Sequence, residues 1–173
     1  MIVRKATAAD IPAIAAIYSD IHTQEEQGLV TIGWIRDVYP TEQTAWVALE
    51  RGDLFVGAEN DTIVGAAIIN QTQVDSYRDG SWQFDVPDDQ VMVLHTLVIS
   101  PKTARSGYGR QFVDFYEQYA LSHGCRYLRM DTNARNVRAR AMYQKLGYAE
   151  IGIVPCVFNG IDGVQLVLLE KAL

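Results

Sequence analysis

The residues with chemistry to offer gather in the second half of this 173-residue chain. The stretch Leu97-Val-Ile-Ser-Pro-Lys-Thr-Ala-Arg-Ser-Gly-Tyr-Gly-Arg110 carries an apolar strand into Gly107-x-Gly109. Glycines let a backbone turn tightly and come close to a ligand. The helix that opens there has free N–H groups in its first turn, at the positive end of its dipole. Together these make a phosphate or pyrophosphate site, and Lys102, Arg105 and Arg110 add positive charge beside it. Two glycines also fit a plain left-handed turn before a helix. No Gly-Lys-Ser/Thr follows, and Phe112 stands where a dinucleotide fingerprint needs its third glycine, so neither common nucleotide loop is present.

Asn136, Arg140, Tyr143 and Gly147 follow at spacings of 4, 3 and 4, which puts them on one helical face. Asn136 suits a helix N-cap. Tyr143 is either a packed aromatic or a phenol available for proton transfer.

The elements that must position these residues are legible from periodicity and punctuation. Ile2–Lys5 reads as an edge strand. Thr7-x-x-Asp10 is a capping box, and Ile11, Ile14, Ile17 and Ile21 then form one helical stripe. Trp34–Tyr39 is expected as a short helix stopped by Pro40, and Thr41–Glu50 as a helix closed by Gly52. Leu54–Ala58 and Ile63–Asn70 form a hairpin around Asn60-Asp61. Residues 71–90 are polar and read as a long loop or a frayed hairpin end. Val91–Ile99, which contains His95, is a strong strand. A helix Arg110–His123 with core positions Phe112, Phe115/Tyr116 and Tyr119, a strand Tyr127–Asp131, a helix Asn136–Leu146, and strands Tyr148–Val154 and Val164–Leu169 complete a mixed α/β domain.

Composition narrows the class. Formal net charge is -6 and 49% of residues are hydrophobic, which fits one ordinary globular domain over residues 1–173. The acidic balance argues against nucleic-acid and anionic-membrane partners. Residues 1–90 hold 15 acids and 5 bases, whereas residues 91–173 hold 6 acids and 10 bases, which places an anionic ligand in the second half. The opening MIVRKATAAD has no apolar signal region, and Cys125 and Cys156 have no zinc spacing. A reduced, cytoplasmic protein without a metal is the expectation.

The opening V-R-K-A-T-x-x-D, the strand L-V-I-S-P, the loop R-S-G-Y-G-R and the helix N-V-R-A-R-A-M-Y-Q-K-L-G-Y, in this order, resemble the GCN5-related N-acetyltransferases. The resemblance implies the single-domain acyl-CoA N-acyltransferase fold: a mixed central sheet with splayed parallel strands, flanked by helices. It implies transfer of an acetyl group from acetyl-CoA, as co-substrate, to a primary amine by direct attack on the thioester. The coenzyme's pantetheine arm would pair with Leu97, Val98 and Ile99, the Leu97 N–H facing the thioester carbonyl as an oxyanion donor. Arg105, Ser106, Gly107, Tyr108, Gly109 and Arg110 would cradle the pyrophosphate, and Asn136 would contact the arm. One departure stands out. Where the family's loop begins R/Q-x-x-G-x-G/A, this chain has Ala104, with Arg105 one place later.

Tyr143 matches the family's general acid, donating to the departing thiolate. His95, in L-H-T-L-V, resembles a strand histidine that relays the amine's proton. On a regular strand it points the same way as Leu97, and an unperturbed pKa of about 6.5 suits the task. A structural histidine, or water and backbone carbonyls as the base, are the alternatives. His22 is a candidate acceptor-side residue.

Acceptor walls are expected from Tyr18–Trp34, the 71–90 loop and Phe158. Glu25, Glu26, Asp75, Asp79, Asp85, Asp88 and Asp89, with Tyr77, Trp82 and Phe84, would favour a small cationic amine, an amino acid or a peptide N-terminus. A solvated acidic loop is the alternative. The resemblance also raises a homodimer through Val164–Leu169, which serves equally as an inner strand. The rival functions are a non-catalytic acyl-CoA-binding module on the same fold and an NAD- or ATP-binding protein.

Overall fold

The computed structural model describes residues 1–104 and 106–173; the expectation for Arg105 lies outside the described residues. Eleven main elements follow one another: β1 (Ile2–Lys5), α1 (Ile11–Glu26), α2 (Glu42–Arg51), β2 (Leu54–Glu59), β3 (Thr62–Asn70), β4 (Val91–Ile99), α3 (Tyr108–Ser122), β5 (Tyr127–Asn133), α4 (Val137–Lys145), β6 (Ala149–Phe158) and β7 (Ile161–Ala172). The strands form one sheet in the order β1-β2-β3-β4-β5-β7-β6. Every neighbouring pair is antiparallel except β4 and β5, which run parallel.

Local signals produce these elements as expected. Asp10 accepts from the Thr7 N–H (2.8 Å) and hydroxyl (2.9 Å), closing the capping box. The four isoleucines of α1 are all buried. Thr41 caps α2, and Gly52 ends it in the left-handed region. Asn60 and Asp61 both take positive φ, the geometry of a tight two-residue hairpin turn.

One face of the sheet carries Phe55, Met92, Leu94, Met130, Val167 and Leu169 against Phe112, Val113 and Tyr116 of α3 and Tyr143 of α4. On the other face, Val56, Ala66, Ile68 and Val98 pack on α1 and α2. Beyond those helices the same face holds Val91, Val93, Leu166 and Leu168 under Tyr77 of the 71–90 segment.

One expectation is corrected here, and one pair of alternatives is decided. Trp34–Tyr39 is not a helix. Asp37 has φ 61° and Ile35 bridges Tyr39, because the residue before a proline is pushed out of the helical region and too few residues remain for a nucleus. Of the two alternatives for residues 71–90, the long loop is found, carrying two short 3-10 turns, and it is anchored. The Arg129 guanidinium donates to Gln73 Oε1 (2.5 Å), the Phe84 carbonyl (2.9 Å) and Glu170 Oε1 (3.3 Å), and it lies 4.1 Å from the centre of the Trp82 ring. Glu170 Oε2 accepts from the Gln83 N–H at 2.8 Å. A buried ion pair therefore pins the segment to β5 and β7.

Of the two alternatives for Val164–Leu169, the inner strand is found. β7 lies between β5 and β6, so β6 forms that edge. Among the described residues, no helix is long and apolar enough to cross a membrane.

Candidate active site

The β4–β5 ladder covers Val91–Leu94 against Tyr127–Met130 and then stops. Beyond it the strands part, and the gap opens into a cavity of about 1210 Å³. The cause lies in β4. Ala66 of β3 pairs with Val98 and Ile68 pairs with His95, so β4 holds one extra residue. Thr96 takes φ 50°, uncommon for a β-branched residue and strained. Its hydroxyl shares a hydrogen bond with the Tyr39 hydroxyl. The bulge leaves Thr96 and Leu97 outside the ladder register and bends the strand away from β5.

This bulge overturns the expected alignment of His95 with Leu97. Leu97 packs with Leu94 and Ile99 on the α3/α4 face. His95 stands opposite Ile68, whose side chain packs under α1 and α2. Both still line the cavity. His95 is also not an unperturbed imidazole: burial lowers its pKa to about 4. Its Nε2 lies 3.1 Å from Asn70 Oδ1. Asn70 donates to Asp53 Oδ2 at 2.7 Å and accepts the Thr72 N–H at 2.9 Å. That fixes the amide's orientation, so the His95 nitrogen facing it must donate.

At the other end of the cavity, Gly107 caps α3 with φ 77°. Gly109 has ordinary φ but little room: an added Cβ would sit 3.2 Å from Met142 Sδ. One glycine shapes the turn and the other keeps α3 close to α4. The N–H groups of Tyr108, Gly109 and Arg110 open the helix without intrahelical acceptors. With Ser106 and Gly107, they line the cavity. This row of amides in a glycine-shaped turn suits a pyrophosphate. Lys102 does not join it; its ammonium pairs with Asp20 at 2.9 Å.

Leu97, Val98, Ile99, Asn136 and Tyr143 line the same cavity. Asn136 also caps α4, accepting the Ala139 N–H at 3.2 Å. Arg140 clamps α4 to β6 through two 2.7 Å bonds to Glu150. Tyr143 is buried, and burial, with the Asp131 charge second, holds its phenol well above the ordinary range. It stays protonated at neutral pH.

The expected acidic acceptor wall is not there. Glu25 caps the Ile32 and Gly33 N–H groups, Glu26 pairs with Arg36, and Asp75 pairs with Arg78. None of the seven acids named for that wall lines the cavity. Trp82 and Phe84 are held against Arg129 and Tyr127. His22 is buried against the Pro40 carbonyl.

The structure adds Asp131, which the residue pattern did not single out. Its Oδ2 accepts from the Tyr77 hydroxyl at 2.8 Å, and burial lifts its pKa to about 6. Among the described residues it is the only carboxylate lining the cavity. Its one sequence signal was an acid closing an otherwise alternating strand.

The acetyltransferase (GNAT) family matches residues 14–148. Among solved structures, a GNAT-family acetyltransferase from Streptococcus agalactiae is 23% identical, covering 99% of this chain and 95% of that one, with a TM-score of 0.83. The ribosomal-protein-alanine N-acetyltransferase of Brucella melitensis is 18% identical over the full length of both chains, with a TM-score of 0.73. YncA of Salmonella typhimurium, solved with acetyl-CoA, is 18% identical over 99% and 93% of the chains, with a TM-score of 0.71. At these identities the structural likeness shows the fold. With a family match over most of its length and a bulged, parted sheet opening beside a glycine-shaped helix start, the chain belongs to the acetyltransferase (GNAT) family.

Proposed function

We propose that the chain moves an acetyl group from acetyl-CoA to a primary amine by direct attack on the thioester. One observation carries this reading: a single cavity runs from the α3 amides, past the backbone of Leu97–Ile99, to Tyr143 and on to the far wall of the sheet. An activated acyl group and its acceptor can therefore meet where the strands part.

In this reading Ser106–Arg110 hold the pyrophosphate, and the bulge frees Leu97 to present its N–H to oxygen charge as it develops. Asn136 flanks the arm. Tyr143 donates its proton to the departing sulfur, whose thiol has a pKa of about 8.5, as the C–S bond breaks, and is left as phenolate. His95 is neutral at pH 7 and so can accept a proton, but burial makes it a weak base. The partner is a small-molecule or peptide amine, with no nucleic acid or membrane involved.

Thiol release from acetyl-CoA across a panel of amines tests the reading. Amine-dependent release supports it. Tight binding of acetyl-CoA with no release from any amine would leave a binding module on the same fold instead.

A further inference from the structure

The acceptor end of the cavity has a definite chemical character. Its largest lining side chains are apolar, Leu29, Ile32, Trp34, Val47 and Phe158, set among uncharged amides and hydroxyls such as Gln24, Gln43 and Thr44. Leu29 is 68% exposed and Val47 38% exposed at its mouth. Against this lining stands one carboxylate, Asp131, the first β5 residue beyond the last β4–β5 pair. Its Oδ2 is taken by Tyr77, and Oδ1 has no hydrogen-bond partner among the described residues. The single arginine on this wall, Arg51, already spans Asp53 with bonds of 2.9 and 3.2 Å.

We infer that Asp131, held in place by Tyr77, binds the ammonium of an acceptor whose body is apolar and takes its proton before attack. This rests on the acetyltransferase reading above and names the acceptor class for it. Asp131 begins as carboxylate and R–NH3⁺ gives it one proton. The freed nitrogen pair forms the C–N bond to the acetyl carbon. The C–S bond breaks, and the sulfur takes the Tyr143 proton. The second proton leaving nitrogen restores Tyr143, and Asp131 returns its proton to water. The products are R–NH–CO–CH3, the free thiol and one released proton.

Burial sets the carboxyl to titrate at about 6, so it is ionised and ready at neutral pH. Three phenols face this region: Tyr77 from the 71–90 segment, Tyr39 from the segment before α2, and Tyr143 from α4. Arg129, on Asp131's own strand, acts on Tyr77. Tyr77 is a positioning residue. Its hydrogen bond favours the ionised carboxylate, so losing it should raise the titration midpoint.

The experiment measures kcat/KM for thiol release between pH 5 and 10 with 2-phenylethylamine and with spermidine. Wild type should prefer 2-phenylethylamine, with kcat/KM rising through about pH 6 to a plateau that lasts until the amine itself loses its proton, at about 10. Asp131→Asn should lose at least a hundredfold in kcat/KM for the amine and lose the lower inflection, with acetyl-CoA affinity unchanged by calorimetry. Tyr77→Phe should move that inflection upward, an effect that bears on the proposal even if Asp131→Asn fails to fold. Asp131→Glu should recover part of the rate.

A log-linear rise to pH 10 without an inflection, an unmoved inflection in Tyr77→Phe, or full activity in folded Asp131→Asn would each overturn the assignment. A tenfold preference for spermidine would overturn the apolar acceptor. No release from wild type with any amine would remove the acetyltransferase reading itself, whereas release indifferent to Asp131 removes this inference alone.

Discussion

Tyr143, buried, and Asp131, half-buried, are both oxygen acids at the parted strands' gap, and desolvation pushes both to hold their protons more tightly. For Tyr143 that guarantees a proton to give at any physiological pH. Tyr143→Phe should lower kcat for thiol release by roughly a hundredfold and leave acetyl-CoA affinity within about twofold; an unchanged kcat would remove the acid role. For Asp131 the same burial has a stability consequence. Its folded pKa, about 6, lies above an unfolded value of about 3.9. The folded state therefore binds the proton more tightly. The stabilisation is complete below pH of about 4 and is lost as pH rises through about 6, a change of roughly 3 kcal/mol at most. Urea unfolding of Asp131→Asn at pH 4 and pH 8 should show that difference flattened relative to wild type. An identical pH dependence in the two proteins would contradict it. The sequence showed Tyr143 through its spacing on a helix. It showed Asp131 only as one acid among many, because neither its burial nor Tyr77, 54 positions away, is local information.

At the scale of elements, the bulge in β4 and the start of α3 build the two ends of the site. The bulge holds Thr96 in a strained conformation, tied to Tyr39. Thr96→Val keeps the shape but leaves the Tyr39 hydroxyl without its partner, and should destabilise the fold by about 1–2 kcal/mol in chemical denaturation. A loss below a few tenths would mean that the bond contributes nothing. At α3, Gly109→Val would force branched carbon towards Met142, now 3.2 Å from where a Cβ would sit. Methionine is flexible enough to give way, so the fold should survive. The helix start would shift, and acetyl-CoA affinity should fall about tenfold by calorimetry, with melting nearly unchanged. Element types were readable because each has its own period and caps. The bulge was not, since nothing in L-H-T-L-V marks which residue is extra. The assumption of strict alternation therefore placed His95 with Leu97. The Trp34–Tyr39 expectation erred similarly, since apolar spacing over so short a run does not outweigh a following proline.

Across the whole molecule, one face of the sheet is covered by α3 and α4, and the other is shared by two helices and the 71–90 segment. That segment has little helix or strand of its own and depends on the Arg129–Glu170 pair. Glu170→Gln would leave the Arg129 charge buried without its counter-ion and should destabilise the fold by about 3–5 kcal/mol. Trypsin cleavage at the exposed Arg78 should then accelerate; unchanged cleavage would show that the segment is held by other contacts. By itself the sequence determined most of the element order, the glycine turn and the tyrosine helix, because these follow from periods and spacings within about fifteen residues. Charge was where it misled. Of the acids counted as an acceptor wall, Glu25, Glu26 and Asp75 satisfy arginines or backbone N–H groups of their own neighbourhood and none of the seven lines the cavity, which among the described residues keeps one carboxylate, from the basic half of the chain. Only the tertiary structure decided which charges face the cavity, which way His95 points and which tyrosine meets Asp131, because desolvation and long-range contact exist only once the chain has packed.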